Sequence, residues 1–328
     1  MSYSNKIYKI ALVILEEKRE KNKIISDRRK EEINSKIAEY SAIKKDVLGL
    51  LEDYMKNIDN PEKNNTGLIK EQIRSNEEKK KKLLMENGYP VDYLDEIYDC
   101  KKCKDPGYIL NEKCECFIKI LKDISKKESN LSYILDEQNF NNFDLKIFSD
   151  KIGENGISPK ENMKNILAHV KKFIDLFDEK DTKSLLFTGS TGVGKTCLSS
   201  CIAKKVLDSG KNVLYQSSAK LSEILEEYKF NRENASYNTQ DIVKDLYDID
   251  LLIIDDFGTE FKTSYTLTAL YELINSRLLN NKKMIISTNL SIIELKEVYS
   301  ERLFSRFIGE FLILEFTGND LRTQKILN

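Results

Sequence analysis

Residues 185–200 read LLFTGSTGVGKTCLSS, and the reading of this stretch decides the fold. Residues 189–196 fit the spacing G-x-x-x-x-G-K-[ST], with an apolar run leading in and a helical run leading out. The spacing suits an oligophosphate. A glycine-rich turn lets several backbone N–H groups converge on one anion, and the following helix N-terminus adds partial positive charge. Gly189, Ser190, Thr191, Gly192, Val193, Gly194 and Cys197 are the expected cradle. Lys195 is the expected partner of the β- and γ-phosphates, and Thr196 the expected hydroxyl ligand of Mg²⁺.

Outward from that loop, short apolar runs alternate with helical stretches. SLLFTG (184–189), NVLYQS (212–217), DLLIIDDF (250–257), KMIISTN (283–289) and FLILEF (311–316) read as five strands. Four are nearly continuous in apolar residues, as expected where helices cover both sheet faces. The pattern predicts an α/β fold with a mostly parallel five-stranded sheet. Asp255, at a strand end, falls at the carboxyl edge where ligands gather, and is the second candidate for Mg²⁺. Asp256 points differently; it either positions and deprotonates the attacking water or caps the strand. Asn289 either hydrogen-bonds the γ-phosphate or water, or caps the helix that follows it. Arg302 and Arg306 lie in ERLFSRFIGE (301–310). They either reach the γ-phosphate of a neighbouring subunit or make surface ion pairs. One strand intervenes in sequence between the phosphate loop and Asp255, and no N-K-x-D motif follows residue 250, so ATP is the expected nucleotide. Lys211, Lys220 and Lys229 are candidates for a single-strand path.

The chain has 328 residues, enough for about two domains. Its formal net charge of −1 excludes a global basic field. The apolar run at residues 10–15 is too short to span a membrane, and no small-residue cleavage site follows it. A cytoplasmic protein with no membrane contact is expected. Residues 1–99 are charged and helical. Ile33, Ile37, Tyr40, Val47, Leu51 and Tyr54 trace one seam, suited to a helix in a small helical domain or to an intermolecular coiled coil. Residues 57–67 read as a break between helices. The expected organisation is a helical partner-binding domain over 1–130, a linker over 131–160 and a nucleotide-binding core over 161–328.

Residues 100–116, CKKCKDPGYILNEKCEC, hold four of the six cysteines. Two close pairs on a turn-rich hairpin suit a tetrahedral Zn²⁺, with Cys100, Cys103, Cys114 and Cys116 as ligands over an element of about 98–118. The only histidine, His169, is remote in sequence, and a reducing compartment disfavours disulfides.

Together these residues resemble the AAA+ ATPases, and within them the DnaC/DnaI helicase loaders with their transposition relative IstB. The resemblance covers residues 140–328. It implies that 189–196 are the Walker A loop, that LLIIDD (251–256) is Walker B, and that Asn289 is sensor 1. It also implies that Arg306 is the arginine finger acting in trans within a self-assembly, with Arg302 in reserve, and that Arg322 of FTGNDLR (316–322) is sensor 2. Asp256 stands where most AAA+ proteins have Glu, a departure that slows hydrolysis. Only twelve residues follow Phe316, so a core without a full helical lid is expected. Loaders of this group carry a C-x₂-C-x-D-x-G-Y element before the core, as in CKKCKDPGY here. The implied activity is ATP-dependent loading of the hexameric replicative helicase onto single-stranded DNA, with residues 1–130 gripping the helicase. A transposition helper, and an adaptor gated by nucleotide binding with weak hydrolysis, are the alternatives.

Overall fold

A computed structural model of the chain describes residues 5–57, 66–131, 134–153, 156–230 and 237–322. The chain divides into two compact units, residues 11–118 and residues 119–328 together with 1–10. In chain order the elements are α1 (Asn5–Lys36), α2 (Ala38–Asn57), α3 (Thr66–Glu86), β1 (Tyr108–Ile109), β2 (Glu112–Lys113), α4 (Glu115–Glu128), α5 (Pro159–Asp175) and β3 (Ser184–Thr188). There follow α6 (Lys195–Asp208), β4 (Val213–Ser217), α7 (Ser218–Phe230), α8 (Tyr237–Asp248), β5 (Leu251–Phe257), α9 (Ser264–Leu279), β6 (Lys283–Thr288), α10 (Ile292–Val298), α11 (Glu301–Glu310) and β7 (Phe311–Glu315). Among the described residues no helix is long and apolar enough to cross a membrane.

All five expected strands of the core form. They make one sheet in the order β4-β5-β6-β3-β7 with every pairing parallel. Every residue of β3 and of β6 is buried, which explains their unbroken apolar sequence. Helices pack on both faces. One face buries Leu198, Ile202 and Val206 of α6 with Met163, Ile166 and Val170 of α5; the other buries Leu221 and Leu225 of α7 with Leu270 and Leu273 of α9. In this order β6 separates the phosphate-loop strand β3 from the carboxylate strand β5.

Two expectations change. The seam from Ile33 is not carried on one helix. The chain breaks at Ile37, between α1 and α2, where Ile33 and Ile37 turn onto Leu84 of α3. Leu51 consequently faces solvent at 42% exposure. The Tyr54 side chain and most of the break at 57–67 lie outside the described residues. The stretch read as a linker contributes Leu131, Leu135 and Phe148 to the core of the sheet. Just before it, Ser129 O accepts the N–H of Tyr215 at 3.1 Å, and Asn130 Nδ2 donates to Tyr215 O at 3.1 Å, so this segment covers the outer edge of β4.

Candidate functional site

The residue following β3 is Gly189, with φ of 135°. A side chain there would collide with the backbone carbonyl of Phe316, so only glycine lets the loop leave the sheet at this point. Gly192 and Gly194 also have positive φ, and Gly194 is the N-cap of α6. The loop thus ends on a helix N-terminus whose first residues are Lys195 and Thr196. Lys195 is 6% exposed. Its ammonium donates to Gly189 O and Ser190 O at 2.7 Å and to Asn289 Oδ1 at 2.8 Å. Burial holds its pKa below the ordinary lysine range, against the pull of Asp256 and Asp255. These carbonyls satisfy the ammonium now, and anionic oxygens are the stronger acceptors for it.

Asp255 is 3% exposed. Thr196 Oγ1 donates to its two oxygens at 3.0 and 3.3 Å, while Tyr215 OH and Ser287 Oγ donate one to each oxygen. Parallel register puts Ser217 beside Asp255, and Ile286 beside Ile254, so the hydroxyls arrive from β4 and β6 on either side. Two cis ligands of an octahedral Mg²⁺ at about 2.1 Å sit about 3 Å apart, so the Thr196–Asp255 pair fits that ion.

Asp256 follows with φ of 55°, at an irregularity in the β5–β6 register. Its backbone carbonyl takes the turn role, accepting Thr259 Oγ1 at 2.8 Å. The residue is exposed at the sheet edge, yet its carboxyl is partly enclosed. Burial, then the Asp255 charge, raise its pKa, opposed by Lys195, Arg322 and a hydrogen bond from Asn289. Asn289 is not the cap of α10. Ser291 fills that position in a reciprocal capping box with Glu294, at 3.2 and 2.7 Å. The amide of Asn289 is left to bridge Lys195 and Asp256.

Arg322 is brought within electrostatic reach of Lys195 and Asp256. The turn before it lies along the phosphate loop: Leu321 N donates to Gly192 O at 3.0 Å, and Asp320 packs on Gly192. Arg302 and Arg306 are elsewhere, on α11, and no side-chain hydrogen bond or ion pair is found for either among the described residues. Cys197 is half-buried against the core behind the loop. The three candidate lysines of the strand path have local partners: Lys211 pairs with Asp178, Lys220 with Glu223 at 2.9 Å, and Lys229 lies 4.0 Å from the Tyr265 ring centre. Sequence reasoning missed Tyr215 and Ser287 as holders of Asp255; both follow only from the sheet order.

The cysteines form a second constellation. The sulfurs of Cys100, Cys103, Cys114 and Cys116 all lie within 4.8 Å of one another. Cys100 and Cys114 are 3.7 Å apart, and Cys103 and Cys116 are 3.5 Å apart. Tetrahedral ligands at a Zn–S distance of about 2.3 Å are about 3.8 Å apart, so the donor set and its spacing fit Zn²⁺. Asp105, 3% exposed with φ of 75°, shapes the first knuckle by accepting Cys100 N at 2.7 Å and Asp99 N at 3.0 Å. Asn22 Nδ2 adds a third donor at 3.1 Å. A side chain on Gly107 (φ of 82°) would meet Leu15 Cδ1 at 2.6 Å. The backbone N–H of Cys103 holds Cys100 down at about 7, while burial pushes Cys103 and Cys116 up. Thiolates held this close repel one another unless a cation lies between them.

Residues 167–325 match the family model described as IstB-like ATP binding protein. Residues of this chain are 26% identical over 165 positions to the replicative helicase loader DnaC of Escherichia coli (strain K12), covering 50% of this chain and 66% of that protein, just under two thirds of its length. Among solved structures, the crystal structure of the DnaC helicase loader covers 48% of this chain and 90% of its own, at 23% identity and a TM-score of 0.43. The AMPPCP-bound DnaA from Aquifex aeolicus covers 58% and 54%, at 21% identity and a TM-score of 0.44. Residues 167–325 are thus similar to an IstB-like ATP-binding protein and, at 26% identity, to the DnaC helicase loaders.

Proposed function

We propose that this chain is an ATP-driven loader that places a hexameric replicative DNA helicase onto single-stranded DNA. The observation that carries this reading is the four-thiol element that precedes, in the sequence, a phosphate loop whose Lys195 meets Asn289 and whose Thr196 meets Asp255; a bare IstB-like core is not expected to carry that element. Its similarity to proteins named replicative helicase loaders supports it. Thr196 and Asp255 would hold Mg²⁺, which would supply charge neutralisation for the bound phosphates. Lys195 exchanges its carbonyl partners for phosphate oxygens. Asn289 and Asp256 orient the attacking water, and Asp256, one methylene shorter than Glu, makes turnover slow. Arg322 acts from the same chain, and Arg306 from a neighbouring copy. Cys100, Cys103, Cys114 and Cys116 would hold Zn²⁺, which would fix the surface within residues 1–130 that grips the helicase, while 161–328 carry nucleotide and single strand.

A transposition helper is the second reading, favoured by the family model over residues 167–325. Capture from the native host with the full chain as bait separates the two. The loader reading expects the replicative helicase; recovery of a transposase in its place overturns it. ATP turnover with and without single-stranded DNA tests the motor. No turnover under either condition leaves an adaptor gated by binding alone.

A further inference from the structure

Glu260, in the turn after β5, is a buried carboxylate for which no ion pair is found among the described residues. It is 4% exposed, and its three partners are neutral donors from three elements. Gly258 N donates to Oε2 at 2.8 Å, and Ser218 Oγ, from the first residue of α7, donates to the same oxygen. Tyr299 OH, from the C-cap of α10, donates to Oε1. Burying a carboxylate among neutral groups costs several kcal/mol and is tolerated only when every acceptor is used. Such a network holds its elements in one arrangement.

Two things are held. On one side is the turn that carries Asp256, closed by Thr259 onto the Asp256 carbonyl and by Glu260 onto Gly258. On the other is Tyr299, whose ring stacks on Phe257 at 4.7 Å between centroids and an interplanar angle of 22°. Phe257 also meets Phe307 edge-on at 5.7 Å. Phe307 adjoins Arg306 on α11, and Ser300, beside Tyr299, is the N-cap of that helix. We infer that Glu260 is a positioning residue that fixes α11, and hence Arg306, relative to the Asp255–Asp256 turn of the same chain. One protomer's nucleotide site and the arginine it offers to its neighbour then move as a unit. This inference rests on the reading of Arg306 as a finger acting in trans.

The test is a cycle on the full chain with Tyr299→Phe, Arg306→Ala and both. ATP turnover is read at high protein concentration with an oligo(dT) strand, and ATP affinity on the dilute chain. Tyr299→Phe removes the O–H given to Glu260 and keeps the ring stack. Its ATP affinity is expected within about twofold of the parent, with turnover about tenfold lower, one charge-assisted hydrogen bond's worth. Arg306→Ala is expected to lose roughly a hundredfold or more. In the double variant the tyrosine change then costs nothing further. Glu260→Gln, which keeps an acceptor for Gly258 N–H, is expected to fall between the parent and Glu260→Ala. An effective Arg306→Ala with multiplicative losses in the double variant overturns the coupling alone. An ineffective Arg306→Ala overturns the finger assignment, and the coupling falls with it.

Discussion

Lys195, the first residue of α6, and Asn289, just past β6, are joined directly, Nζ to Oδ1 at 2.8 Å. The contact exists because β6 is the inserted neighbour of β3, and it places a neutral amide between the ammonium and the Asp256 carboxyl. An amide there can pass a hydrogen bond from phosphate to water without adding charge of its own.

Removing the ammonium should therefore affect binding, and removing the Asp255 charge should affect the metal. Lys195→Ala is expected to weaken ATP affinity roughly ten- to hundredfold, by isothermal titration. Asp255→Asn keeps an acceptor oxygen for one of the Tyr215 and Ser287 hydroxyls and turns an N–H donor toward the other, whose oxygen can accept it. It should keep its melting temperature while losing the response of turnover to Mg²⁺ concentration. A parent-like Mg²⁺ response in Asp255→Asn would remove Asp255 from the metal.

The chain purified without added metal should carry about one Zn²⁺. Cys103→Ser should lose it and expose residues around 98–118 to limited proteolysis, with ATP affinity unchanged. Zinc-free protein whose four thiols titrate freely would contradict the assignment.

Glu32 supplies a pH-dependent contribution in the unit of residues 11–118. It accepts from Lys36 Nζ at 2.7 Å, Tyr93 OH at 2.8 Å and Tyr89 OH at 2.9 Å, and these bonds, Lys36 first, lower its pKa from 4.5 to about 2. A depressed folded pKa means stability that is present above pH 4.5 and lost as pH falls toward 2. The melting-temperature deficit of Glu32→Gln should be constant from pH 7 to 5 and shrink below 4.5. A deficit that grows on acidification would refute this sign.

The legibility of the chain followed the range of the interactions involved. The phosphate loop and the four cysteines are local patterns, and each could be read from spacing alone. The strands were legible because β3 and β6 are covered on both faces. Tyr215 and Ser287 were not, since their approach to Asp255 depends on which strands are neighbours. Leu131, Leu135 and Phe148 sit in turn-rich, polar sequence with no helical or strand period, so their burial in the core was hidden. Asn289 was ambiguous until Ser291 was seen to cap α10. Asp105 lay inside the quoted cysteine motif, but its hold on the Cys100 N–H requires the fold of the knuckle.

The central claim is tested most directly by helicase loading on protein-coated, single-stranded circular DNA, with the native host's replicative helicase, the full chain and ATP. The account predicts unwinding of an annealed oligonucleotide only when chain and ATP are both present, and loss of that activity with Lys195→Ala. Unwinding that is the same without the chain, or with Lys195→Ala in its place, would contradict it.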